Sequence, residues 1–460
     1  PLTAAHIVQA RRRWPHALLL IGQLACLVLT QARGAWVGMG AAIVAGLLAW
    51  AVTARDRRPA LVALAITVLG VSFVGLLNLP NSPLTPLTQL PGLDRLASLS
   101  RTDAGSAAAR LTIWQNTLPL IVSRPWLGYG PETMRVVFAR VSPPEMVFFE
   151  GRHIYTDRAH NLWLDLGMSA GLVGIVVFGA VLIGFARLAW RGLRQARDRR
   201  EQVAWTALVA TIVGHVVDMQ FSFDLTASAT IFWLTLAMGV AMRHVPSPHC
   251  LQASQEHGKR QNRKSLCLIP LTLAVLALIG MLCLRPLLAD VAYWRSQNLA
   301  RTPAEQMEAS MQTVRLWPLE PVYRLSLAWK LAQGGDIAIA KAHLAAADRL
   351  SPNDPVVWAT LGDVYMLREK YGQAEETYRK LLELDSNAAR HHMALGLALV
   401  RQDRLEEGTA ELERAVVLDN TDAAIYSHLA DAYLALGRKD DAAQAQETCT
   451  SLKRQSPGGQ

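Results

Sequence analysis

The 460-residue chain is short of charge: only 18% of its side chains are Asp, Glu, Lys or Arg, against 51% that are hydrophobic. That is too apolar for an ordinary soluble protein of this size and disfavours a soluble single-core enzyme. Cysteine is scarce too. The five present, Cys26, Cys250, Cys267, Cys283 and Cys449, show no CxxC or Cys/His ligand spacing, and three fall in apolar runs, so neither a disulfide framework nor a zinc site is indicated. Lysine supplies just 8 of the 46 basic residues, so an arginine-rich segment reflects composition before it reflects phosphate binding. The chain lacks an initiating Met and a charged, apolar, small-residue leader, and soon after Pro1 it enters a hydrophobic segment; it reads as the later part of a longer chain.

What is present divides into two unlike parts. Residues 1–284 carry 26 basic and 13 acidic side chains, net +13, whereas residues 285–460 carry 20 and 24, net −4. The first part reads as membrane and the second as soluble. Seven apolar stretches approach the ~20 residues that a helix needs to cross a bilayer. They are Trp14 to Thr30, Gly34 to Thr53, Ala60 to Leu79, Leu166 to Ala186, Gln202 to Val217, Leu225 to Met242 and Ser265 to Leu284, the first and fifth being short. Arg11 to Arg13, the Arg55/Arg57/Arg58 cluster, six arginines from Arg187 to Arg200, and Arg243 with Lys259 to Lys264 all fall on one side, which the bias of basic residues makes cytoplasmic. The positive charge is therefore largely an orientation signal, not a nucleic-acid surface. The opposite face receives the turn around Arg33, the segment from Pro80 to Asp165, the turn from Asp218 to Asp224, and everything after Leu284.

An inter-helix loop over residues 80–165 is far longer than packing requires, and such loops are usually functional or disordered. It has a Pro-rich start (Pro80, Pro83, Pro86, Pro91), a helical stretch from Ala104 to Val122 interrupted by Pro119, and a turn-forming run from Arg124 to Pro131. From Pro321 a 34-residue period opens units at Pro321, Pro355, Ala389 and Ala423. Trp358, Leu361, Gly362, Tyr365, Ala374 and Tyr378 of the second unit closely resemble the tetratricopeptide pattern. Each unit is expected to be a helix pair stacking into a short superhelix. Residues 285–320 read as a degenerate leading helix pair, with Pro303 opening its second helix and Pro318 closing it. The expected divisions are thus helices in 1–79, an outer loop in 80–165, helices in 166–284, a helical linker in 285–320 and repeats in 321–456. The fold expected is all-α, a polytopic bundle followed by an α-solenoid.

The outer face holds one constellation of polar residues. His160-Asn161 stands where the long loop meets the fourth apolar stretch, and Gly171-Leu172-Val173-Gly174 follows nine residues later. Thr30-Gln31-Ala32-Arg33-Gly34 lies at the outer end of the first two helices, and Arg110-Leu111-Thr112-Ile113-Trp114 lies in the loop. Together with Pro125, Gly128 and Gly130, this pattern resembles the O-antigen ligase and polymerase superfamily (Wzy-like C-terminal domain) of bacterial envelope enzymes, over roughly Leu29 to Met242. Ala32 departs from the Ser usual before that arginine, and several leading helices of the family are missing.

The resemblance implies a GT-C-like bundle in the inner membrane, with the long loop and the repeats in the periplasm. It implies transfer of a glycan from an undecaprenyl-type pyrophosphate carrier to an acceptor hydroxyl, as in lipopolysaccharide and polysaccharide biosynthesis, with no cofactor, metal or nucleic acid. The acceptor can be lipid A core, a growing polymer or a protein, so ligase, polymerase and protein oligosaccharyltransferase readings stay open. The residues suit that chemistry. Arg33 and Arg110 can hold pyrophosphate oxygens bidentately without losing their charge. A neutral His160 can take the acceptor's proton as the new bond forms.

Plainer readings accompany each residue. A lone His at a helix start is more often a cap or an interface residue, and the motif is what raises it. Asn161 reads equally as a helix cap and as an acceptor-positioning group. Gly171 and Gly174 read as close-packing glycines between membrane helices, and Gly128-Tyr129-Gly130 as a structural turn. Arg158, with Asp157 able to neutralise it, is a weaker phosphate ligand. Asp165 either orients the imidazole or marks the interface. His215 and Asp218 would share a helix face, where the short span favours interfacial water over a buried site. The repeats offer a concave surface for a protein or glycan, and a silent membrane anchor presenting that surface is the rival to an enzyme. A transporter is disfavoured, since the polar positions cluster at the outer surface rather than at the midplane.

Overall fold

A computed structural model describes residues 1–9, 13–30, 32–79, 82–84, 86, 105–149, 151–152, 155–222, 226–243, 274, 277, 280–281, 284–300 and 302–455, and none of these lies in a strand. The chain separates into two units, residues 1–134 with 156–248 and residues 135–155 with 249–460.

In the first unit six of the seven apolar stretches are helices: Trp14–Leu29, Arg33–Ala54, Arg58–Leu77, Leu162–Gln195, Arg199–Asp218 and Thr226–Arg243. Most of the seventh, Ser265 to Leu284, the Lys259 to Lys264 cluster and most of the Pro-rich loop start lie outside the described residues. Gly34–Ala54, Arg58–Leu77 and Leu162–Gln195 are long and apolar enough to cross a membrane, with mean hydropathies of 1.9, 2.6 and 2.4. On Arg58–Leu77 the large side chains Leu61, Leu69 and Val71 point outward, exposed by 63%, 69% and 69%. A helix apolar on all sides suits a hydrocarbon solvent, not water.

Arg199–Asp218 covers the short fifth stretch, and its modest hydropathy has a packing reason. It is enclosed by protein, burying Val203, Trp205, Ala207, Leu208, Ala210, Ile212 and Gly214. Trp205, Leu208 and Ile212 share a core with Phe185, Ala189, Phe232 and Leu236. It runs antiparallel to Arg33–Ala54 through small residues. A Cβ on Gly38 would come within 2.8 Å of the Gly214 carbonyl oxygen, and one on Gly214 within 2.8 Å of the Ala42 Cβ. The same register puts Gly34 beside Asp218 and Gly46 beside Ala210. The start of the Arg33 helix therefore meets the end of the Asp218 helix, while Arg55 and Arg199 fall at the opposite end.

The loop helix spans Gly105–Ser123 and continues through Pro119, where the sequence pattern suggested an interruption. Proline removes one ladder bond. The buried Ile113 before it and the packing of Ile121 against Gly167 after it anchor the helix on both sides of the proline.

In the second unit helices begin at Pro321, Pro355, Ala389 and Ala423, the positions given by the 34-residue period, and each is followed by a partner helix. Ala289, Tyr293 and Val314 of the preceding residues join the core of the first repeat. Pairs touch where side chains are small: Gly362 faces the buried Tyr378 ring, and a Cβ on Gly396 would come within 2.8 Å of the Gly408 carbonyl oxygen. Because that neighbour is backbone, Gly396→Leu is expected to cost about 1–3 kcal/mol by overpacking. Thermal unfolding of the repeats should drop by several degrees, and an unchanged melting curve would show that the pair can spread.

Candidate active site

The site is assembled on the Gly105–Ser123 helix and the first turns of Leu162–Gln195. Arg110 and Trp114 are one helical turn apart and so share a face. The Trp114 indole N–H donates to the Ala159 carbonyl at 2.7 Å. The Ala159 N–H donates in turn to the Asp165 carboxylate at 2.7 Å. Asp165 therefore braces the backbone that precedes His160. His160 itself has φ +54°, a left-handed conformation uncommon for non-glycine residues. Asn161 fixes the other side. Its side-chain oxygen accepts from the N–H groups of Trp163 and Leu164, and its amide donates to the Gln220 carbonyl at 3.3 Å. It is a helix cap, and both ends of its side chain are engaged by protein.

This helix start is tied to the end of Arg199–Asp218, since the Leu162 N–H donates to the Met219 carbonyl at 2.9 Å. Asp218 adjoins Gly34, so the turn over residues 218–220 links the Asn161 cap to the helix that begins at Arg33. The Arg33 side chain lies outside the described residues. Arg158 donates to Glu132.

Gly171 breaks the Leu162–Gln195 helix, with φ 62° and ψ −157°. The break is filled by the run that contains Pro125, Gly128 and Gly130. The N–H groups of Tyr129 and Gly130 donate to the carbonyls of Met168 and Ser169 at 2.7 and 3.1 Å. Below the break, Leu172 and Val173 donate to the carbonyls of Pro125 and Trp126 at 2.7 and 3.2 Å. Every backbone group freed on these four residues thus finds a loop partner, as non-helical backbone near a membrane requires. This corrects the expected packing of Gly171 between membrane helices: a Cβ there would lie 2.5 Å from the Trp126 carbonyl. The interhelical role belongs to Gly34, Gly38 and Gly214. The Gly34-x-x-x-Gly38 spacing could have indicated it.

Burial lowers the His160 imidazole below its ordinary value, and the charges of Arg110 and Arg158 push it further the same way, against Asp157. Both effects favour the neutral, proton-accepting form of the ring. His215 and Asp218 line a cavity of about 190 Å³ along the first turns of the Arg33 helix, with Ala35, Gly38 and Met39 on its other wall. The His215 ring stacks on Phe232, with centroids 4.8 Å apart. Among the described residues no cluster of His, Cys, Asp or Glu could hold a metal ion.

Residues 17–179 match the family model for O-antigen ligase. The chain carries an O-antigen ligase domain. Residues 362–403 and 423–456 match tetratricopeptide repeat models. The ligase domain, with its apolar helices, marks a membrane protein and supports a glycosyltransferase-like role. Sixty-nine residues are 38% identical to an E3 ubiquitin-protein ligase CHIP of Arabidopsis thaliana, and this match covers 15% of the chain. The chain spans only 25% of that relative's length. Among solved structures, MamA 41-end from Desulfovibrio magneticus RS-1 is 23% identical, with a TM-score of 0.33 over 37% of this chain and 97% of that one. A MamA RS-1 ArsTM double mutant, also 23% identical, has a TM-score of 0.32 over 36% and 96%.

Proposed function

We propose that the ligase domain transfers a glycan from a polyprenyl pyrophosphate to an acceptor hydroxyl on the outer side of the inner membrane, with His160 as general base. The observation that carries this reading is the bracing of the backbone around His160, by the Trp114 bond to the Ala159 carbonyl, the Asp165 bond to the Ala159 N–H and the Asn161 cap; burial and the Arg110 charge, which lower its pKa, agree with it. Arg110 and Arg33 hold the pyrophosphate. The acceptor oxygen bonds to the anomeric carbon as His160 takes its proton. The bond from that carbon to the phosphate oxygen breaks, and the carrier pyrophosphate leaves with the electron pair. Attack opposite the leaving group inverts the anomeric centre. Pyrophosphate whose charge is offset by guanidinium needs no separate acid. The carrier chain lies along the apolar helices, and lipid A core, a glycan chain or a protein is the acceptor.

The test is transfer by the purified full chain from an undecaprenyl-pyrophosphate-linked glycan. Arg110→Lys keeps the charge but loses the planar fork, so kcat/KM is expected to fall sharply; wild-type turnover would remove Arg110 from the site. The pH profile is a second check. His160 works unprotonated and its pKa is lowered, so activity should persist as pH falls through the ordinary 6.5 and fail only below it. Arg110→Gln removes a neighbouring positive charge and should move that acid limb upward. A limb that stays put would uncouple the two residues.

A further inference from the structure

Residues 135–155 lie within the outer loop of the ligase domain in sequence, yet by contact they belong with the repeats. Three successive repeats hold them, each through the turn that opens it. At the opening of the second, Asp354 receives Arg135. At the third, the Asn387 amide donates to the Ser142 carbonyl at 2.9 Å, and Arg390 donates to the Arg152 carbonyl at 3.2 Å. The Arg390 guanidinium also lies 4.2 Å above the Tyr155 ring, whose hydroxyl is 3.4 Å from Nε2 of His391. At the fourth, Arg152 bonds Asp419 at 2.6 Å and Thr421 at 2.6 Å, with Asp422 at 3.4 Å. Asp354 and Asp419 are almost fully buried, 0% and 1% exposed. Buried carboxylates require partners, and the loop arginines are the cations they meet. Burial alone would raise the Asp419 carboxyl, but the bonds from Arg152 and Thr421 hold it below its ordinary value.

We propose that the repeat array takes this segment of its own chain as its ligand, and that the docked loop positions His160 for transfer. The docked Tyr155 is followed by His160 five residues later, so fixing the first restricts the second. Arg135 and Arg152 are positioning residues. The inference about docking stands on contacts alone, and the step to transfer rests on the catalytic reading of His160. An external peptide that engages the same turns must displace the segment.

The experiment uses the full chain in detergent. Amide hydrogen exchange over residues 135–155 is compared among wild type, R135A/R152A and R135K/R152K, with circular dichroism to verify that the repeats stay helical. The alanine pair should lose protection there and the lysine pair should keep part of it. On the same proteins the alanine pair should lower kcat by about tenfold or more with the donor KM little changed, the signature of a misplaced base. Unchanged exchange in the alanine pair overturns the docking. Lost protection with wild-type kcat overturns the positioning. Failure of the His160 reading would appear separately, as wild-type transfer by His160→Asn in the same assay, and would leave the exchange result standing.

Discussion

His160→Ala is expected to lower glycan transfer by roughly 10² to 10⁴ while carrier binding persists, the range over which a positioned base contributes. The substitution has a structural side as well. At φ +54° the backbone is in the left-handed region, where alanine is strained and asparagine is tolerated. His160→Asn therefore separates the two effects, because it keeps the backbone conformation and removes the base. Both variants should extract and insert as wild type does, and both should retain the labelled carrier. If asparagine restored transfer, His160 would be shaping the loop and not moving a proton. Loss in both, with carrier retained, would leave the acceptor's proton as the missing element.

Gly171→Leu should have the largest effect on the integrity of the ligase domain. Its φ of 62° and ψ of −157° fall in a region open essentially to glycine alone, and strain there costs about 1–3 kcal/mol before any clash. The clash adds to it, since a Cβ would meet the Trp126 carbonyl carbon and oxygen at 2.5 Å and the Gly128 nitrogen at 2.7 Å. Relief requires expelling the run from Pro125 to Gly130, which leaves the backbone groups of Met168, Ser169, Leu172 and Val173 without partners. The expected outcome is a large fall in monodisperse protein after extraction and new protease cleavage near Trp126. Gly179→Leu, in the same helix with nothing within 4 Å of its Cβ, is the control and should behave as wild type. Equal yields from the two would mean that the helix break does not hold the loop.

The parts of this protein that were legible in its sequence are those with a period or a compact motif. Tyr378, Gly362 and the helix starts at Pro355 and Ala389 follow from the 34-residue repeat because each repeat contacts mainly its neighbours. His160, Arg110 and Gly171 could be singled out as positions, but what Gly171 does could not. A helix break stapled by a distant turn and a close helix contact both require glycine, and only the φ of 62° separates them. The Asn161 cap is local, onto Trp163 and Leu164, and follows from the sequence, whereas the bond from its amide to the Gln220 carbonyl depends on where the 218–220 turn lies, which is tertiary information. The modest hydropathy of Arg199–Asp218 was ambiguous for the same reason, because Trp205 and Gly214 face protein, not lipid. Least legible was the docked loop. Arg135 and Asp354 are 219 residues apart, and a pair so distant leaves no local pattern.

That docked segment also changes what a domain boundary means here. The chain passes between its two units at residues 134/135, 155/156 and 248/249, so no single cut parts one from the other. A truncation before the repeats would leave Arg135, Arg152 and Tyr155 behind without the repeat residues that they meet. The repeats are thus not an appendage that can be exchanged for another solenoid. Any replacement would have to reproduce the acidic turns at Asp354 and Asp419, and drift in either of these turns must be matched in the loop.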